Sequence, residues 1–149
     1  MIMKKHLLIA FLVLSTLSSF AITRETSMVP ILSDADDIVK LFEQEKDMEI
    51  VRMEFDILST TKSTTRVLSK GWNYFIIAFG DYRFKDIDEK VYRNDNGSWT
   101  LVDQDNESNE FALVAISPEY NAEYKIEITA YSFKEGYNVG HYGLVIAHE

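Results

Sequence analysis

Residues Trp72 to Phe79 are apolar on both alternating faces, with Tyr74, Ile76 and Ala78 interleaved with Phe75, Ile77 and Phe79. Side chains of a strand point alternately to its two sides, so such a segment needs protein above and below it, at the centre of a covered sheet. This pattern suits a central strand covered on both sides. Gly80 closes the segment, and an acidic, turn-rich stretch follows: Asp81, Asp86-Ile87-Asp88, Val91-Tyr92, Asn94-Asp95-Asn96-Gly97, Asp103 and Asp105.

The neighbouring segments supply the rest of a β-fold. Val51, Met53, Phe55 and Ile57 alternate with Arg52, Glu54 and Asp56, which predicts a strand with one buried and one wet face. The polar stretch Ser59 to Thr65 reads as a turn and the start of a second strand reaching Val67 and Leu68, with Lys70-Gly71 as the break after it. Ile87 to Tyr92 and Trp99 to Val102 read as two arms of a hairpin, because Asn96-Gly97 tolerates the positive φ of a tight turn. Phe111 to Ile116, Tyr124 to Ala130 and Tyr142 to Ala147 complete the set. About eight short strands separated by turn signals predict an all-β fold, an antiparallel, jelly-roll-like β-sandwich. One short helix precedes them. Ser33 with Asp36 forms a capping-box pattern, Ile38, Leu41 and Phe42 share a face, and the helix should end near Lys46, packed over one end or an open edge of the sandwich.

The N-terminus carries an export pattern. Lys4 and Lys5 precede the apolar run Leu7 to Leu17, and Ser19-Phe20-Ala21 offers small residues for cleavage after Ala21. The run is shorter than the ~20 residues that span a bilayer, so stable membrane insertion is not expected once the signal is removed. The expected division is a signal peptide over 1–21, a linker over 22–32 and one domain over 33–149, in a protein exported to the periplasm or beyond. Losing Lys4 and Lys5 leaves 13 basic against 24 acidic residues, moving the net charge from −9 to −11. Such a surface repels phosphate backbones, which excludes nucleic acid as a natural partner and favours cations and basic surfaces. The chain has no cysteine, so an exported domain of this size depends on its core or a bound ion rather than on disulfides.

The catalytic signals are sparse. There is no cysteine nucleophile, no Gly-x-Ser-x-Gly elbow and no phosphate-binding glycine loop, and His141 and His148 read as ordinary residues of the last strand. The acidic loops are the candidate metal site: Asp81, Asp86, Asp88, Asp103 and Asp105 are hard oxygen donors of the kind Ca²⁺ requires. Asp103 to Glu107 begins like an EF-hand loop, but Ser108 replaces its glycine and Val114 its final glutamate, so it is not one. Beside the calcium reading stands the plainer one, in which turn aspartates simply solvate an acidic surface. Trp99, Tyr82, Tyr120 and Tyr137 form a candidate binding surface for a sugar or a protein. Paired carboxylates also raise the alternative of a small glycoside hydrolase.

Taken in order, Leu68-x-x-Gly71-x-x-Tyr74, Gly80-Asp81, Asp86-Ile87-Asp88, Val91-Tyr92, Gly97, Asp103, Phe111 to Pro118, Tyr124-x-Ile126 and Tyr142-x-Leu144 resemble the bacterial pre-peptidase C-terminal domain family. The resemblance runs from about Leu68 to Ile146. It implies a jelly-roll sandwich acting as a non-catalytic accessory module for an extracellular protein or polysaccharide, in some members with calcium. Two positions depart from the family pattern: Glu89 stands where an apolar residue is usual, and Glu123 where a glycine is.

Overall fold

The computed structural model describes residues 27–149. The expected signal peptide, its cleavage point and the linker up to residue 26 lie outside the described residues. Eight strands form two four-stranded antiparallel sheets. The first sheet has the order β1 (Glu49–Leu58), β8 (Gly140–His148), β3 (Tyr74–Gly80), β6 (Phe111–Ile116). The second has the order β2 (Thr61–Leu68), β7 (Ala122–Phe133), β4 (Phe84–Asp95), β5 (Ser98–Asp105). The sheets face each other as an open sandwich, as the strand pattern predicts.

The space between the sheets is filled by the inward-facing half of each strand. Tyr74, Ile76 and Ala78 of β3 and Leu144 and Ile146 of β8 meet Ile87 and Val91 of β4 and Ile126 and Ile128 of β7. Each large aliphatic side chain hidden this way contributes about 1.5–3 kcal/mol. The predicted turn between β4 and β5 is present. Asp95 pairs with Ser98, Asn96 and Gly97 take φ of 57° and 92°, and the Gly97 N–H donates to Asn94 Oδ1 at 2.7 Å.

The other face of β3 is covered by helix α1 (Val29–Lys40), which runs on into a five-residue π-helical turn, Leu41–Glu45. Ile31, Ala35 and Phe42 pack with Met48 against Phe79, Val145 and Ala147, a second and smaller apolar core. Three expectations are corrected here. The helix lies on the outer face of the first sheet, not over an end or edge, because Phe75, Ile77, Phe79, Val145 and Ala147 present an apolar surface there. It begins at Val29 rather than Ser33, with Pro30 in the first turn, where a missing N–H costs nothing. Ser33 is therefore no cap, and Asp36 forms an i,i+4 ion pair with Lys40 instead.

Strand β1 also departs from its expected pattern. A bulge between Ile50 and Arg52 shifts its register, so Phe55 joins the helix-side core while Met53 and Ile57 are exposed. The residues expected to be wet face the second sheet's edge. Arg52 donates to Thr64 Oγ1 at 2.9 Å and to the Thr65 carbonyl at 3.2 Å, and Lys62 pairs with Asp56.

Candidate functional site

Helix α1 covers only part of the outer face of its sheet, and what remains forms a groove of about 800 Å³. The floor comes from two strands. Ile77 and Phe79 belong to the helix-facing side of β3, and Phe111 and Leu113 to the outward side of the edge strand β6. Ala112, Val114 and Ile116 take the inward positions of β6 and are buried, so the alternation forces Phe111 and Leu113 outward, where they stay 44% and 43% exposed. Ile38 and Leu41 of the helix form the facing wall. A groove of this size and apolar character is in the range of ligand and peptide sites.

Its rim is acidic. Asp34 and Asp37 stand on the helix side and Glu110 just before β6, with Lys134 as the one basic side chain among the described residues that line the groove. Burial pushes the Asp34 carboxyl up, and the negative charges of Asp37, Asp81 and Glu110 push it further. Among the described residues, none of the carboxylates of Asp34, Asp37 and Glu110 has an ion-pair partner.

Asp81 closes one end of the groove, but its carboxylate is engaged internally. It is buried with Arg83 and His141. Its Oδ1 accepts the Arg83 backbone N–H and Nε–H, each at 3.0 Å, and its Oδ2 accepts the His141 backbone N–H at 3.0 Å and a guanidinium N–H of Arg83. Arg83 Nη2 also lies 2.7 Å from His141 Nδ1. Burial pushes the Asp81 carboxyl up; the Arg83 guanidinium and the two backbone N–H groups more than reverse this and hold it below its ordinary range. The contacts of this pair with His141 tie the β3–β4 turn to the start of β8.

The other candidate calcium ligands are dispersed. Asp86 is buried and accepts the Asn109 N–H at 3.3 Å. Asp105 accepts the N–H groups of Glu107 at 3.0 Å and Leu113 at 2.9 Å. Asp88 is half-buried, its carboxyl pushed up by burial and then by Asp86 and Asp105. Asp103 lines a separate recess of about 220 Å³ between β5 and β6, together with Arg93 and Glu119. Among the described residues, no three His, Asp or Glu side chains gather where they could hold a metal ion.

No protein-family model matches the chain, and no curated protein matches it. Solved structures do. The pre-peptidase C-terminal domain of a collagenase from Bacillus anthracis is similar at 12% identity, over 64% of this chain and 87% of that one, with a TM-score of 0.48. PliG, a periplasmic inhibitor of g-type lysozyme from Aeromonas hydrophila, is similar at 12% identity, over 70% and 90%, with a TM-score of 0.46. A mitogen derived from Yersinia pseudotuberculosis is similar at 10% identity, over 66% and 85%, with a TM-score of 0.47. None of the three carries a ligand or a partner over to this chain.

The four candidate aromatics fall in three places. Tyr82 and Tyr137 meet edge to face at 5.8 Å beside Arg83, and Tyr82 lines the groove. Tyr120 donates to Asp95 Oδ1 at 3.0 Å under the Arg93 guanidinium, and Arg93, with Thr100 and Tyr120, holds the Asp95 carboxyl at about 2. Trp99 lies on the second sheet, where the Lys125 ammonium sits 5.5 Å from its ring centre and 4.3 Å from that of Tyr92.

The groove is not legible in the sequence, and Glu89 shows there only as a departure from the family pattern. The groove itself needs the helix on the sheet face, which no local pattern reveals. Glu89 had a signal: in Ile87-x-Glu89-x-Val91 it occupies a core-facing position, and its side chain is fully buried. Burial pushes its carboxyl well above the ordinary glutamate range, and neither oxygen has a well-formed hydrogen bond to offset this.

Proposed function

We propose that this chain is an exported, non-catalytic binding module that recognises an extracellular protein or polymer through the groove between α1 and the β3–β6 face. The observation that carries the proposal is the outward pair Phe111 and Leu113, large apolar side chains left open on an edge strand beside a partly covering helix. A solvent-facing strand position ordinarily carries a polar residue, and a contiguous apolar surface with a polar rim marks a recognition site. The alternative, a carboxylate hydrolase, is less well supported, since Asp86 and Asp88 line neither the groove nor the recess beside Asp103.

Nile red, a neutral apolar dye, tests the reading. Its fluorescence should rise on addition of the parent protein and not on addition of a Leu113→Ser variant with an unchanged circular dichroism spectrum. Equal brightening by both proteins would put the apolar site elsewhere and overturn the proposal. Turnover of an oligosaccharide panel by the parent, lost in Asp86→Asn, would replace it with the hydrolase.

A further inference from the structure

We infer that the groove takes a basic, apolar peptide segment of another protein, an inference that rests on the groove being the recognition site. The floor of Ile77, Phe79, Phe111 and Leu113 selects aliphatic or aromatic side chains and disfavours a hydroxyl-rich sugar, whose polar groups would lose water without gaining partners. The charges narrow the class further. Asp34 and Asp37 stand one helical turn apart on one side, and Glu110 stands in the loop that leads into β6. A compact ligand with a single ammonium answers one of these carboxylates. A polypeptide with Lys or Arg on both sides of an apolar centre answers all three.

Electrostatics favours the same occupant in a second way. The carboxylates crowd one another, which is the reason Asp34 is pushed up beyond the effect of burial. Lys134 offsets only part of that charge, and Asp81 is already matched by Arg83. An incoming cation relieves the repulsion, whereas an acidic segment adds to it. The net charge of −9 extends the same preference over the whole surface and accelerates encounter with basic partners.

The test is an NMR titration of the ¹⁵N-labelled full chain with three synthetic nonapeptides. They share a Leu-Phe-Leu centre and carry Lys, Ser or Glu in their flanks. The Lys peptide should shift the amide signals of Ile38, Ile77 and Leu113 saturably, with the Ser peptide roughly tenfold weaker and the Glu peptide weaker still. Combining Asp34→Asn, Asp37→Asn and Glu110→Gln should weaken the Lys peptide by roughly tenfold and abolish its advantage over the Ser peptide. Combining Glu43→Gln, Glu45→Gln and Glu119→Gln, which removes as much charge away from the groove, should leave the preference intact. If all three peptides shift the groove signals alike, the groove stands as the site and the basic-peptide inference falls. If the shifts lie elsewhere, both fall; if none occur, the basic-peptide inference falls and the groove stands or falls by the Nile red result. Groove signals that move with protein concentration alone would assign the groove to a second copy of the chain and overturn the inference.

Discussion

The Asp105 carboxylate accepts the backbone N–H of Leu113 at 2.9 Å, joining the edge strand of one sheet to the edge strand of the other. An edge strand normally leaves such groups open to pairing with another chain, and here a side chain occupies one of them. Asp105→Ala should lower stability by about 1–2 kcal/mol in urea denaturation. It should also speed amide exchange at Leu113 more than at Val114, a difference that a uniform destabilisation would not produce.

Glu89 should make the protein less stable as pH rises. Its carboxyl is held protonated in the folded state, whereas in the unfolded chain it ionises near its ordinary 4.5. The folded state therefore binds more protons above that pH, and stability declines until the folded group itself ionises. Glu89→Gln, which has no proton to lose, should be more stable than the parent at pH 8, by up to about 1.4 kcal/mol for each pH unit above the unfolded pKa over which the folded carboxyl stays protonated. The gain should vanish at pH 4, which thermal melts at the two pH values would check.

The Asp81–Arg83 pair works in the opposite direction. Asp81 is held below its ordinary range, so its contribution is complete above the unfolded pKa and is lost as pH falls through the folded one. Arg83→Met leaves a buried carboxylate without its cation, at a cost of about 3–5 kcal/mol near neutrality. The gap between variant and parent should narrow as pH is lowered from 7 towards 2. A constant gap would assign the loss to packing alone.

Gly143, the cross-strand neighbour of Phe79 on β8, leaves room for the ring that forms part of the groove floor. A Cβ at this position would lie 2.3 Å from Phe79 Cζ, and Phe79 packs edge to face with Phe55 at a centroid distance of 6.4 Å. Gly143→Ala should cost about 1–3 kcal/mol by overpacking. It should also displace the Phe79 ring and reduce Nile red brightening, even under conditions where the variant is fully folded.

Calcium should leave the melting temperature unchanged, both in excess and after chelation. Binding to the native state must raise that temperature, so an upward shift would show that the dispersed aspartates gather around an ion.

Much of the sandwich was legible because its strands obey a simple period. Tyr74, Ile76 and Ala78 against Phe75, Ile77 and Phe79 called for cover on both sides, and the two-residue turn at Asn96-Gly97 was fixed by its tolerance for positive φ. Alternation does not say which face looks inward, however. In β1 the apolar set faces outward after the bulge, and Arg52 and Asp56 face the second sheet. The site was less legible for a related reason. Asp81 and Tyr82 were singled out, and both line the groove, but its floor of Phe111 and Leu113 reads in sequence as ordinary strand residues. Their exposure follows from how far α1 extends across the sheet, a matter of packing between segments distant in the chain.

Among the described residues, the helix is anchored through the smaller core: Ile31, Ala35 and Phe42 make no part of the cluster between the sheets. Lifting α1 away therefore leaves the sandwich interior dry and requires only a fraction of the global unfolding free energy. One wall of the groove is thus adjustable while the other is fixed. A bulkier occupant would be accommodated by hinging the helix outward, and its affinity would then report how weakly that helix is seated as much as how well the floor fits.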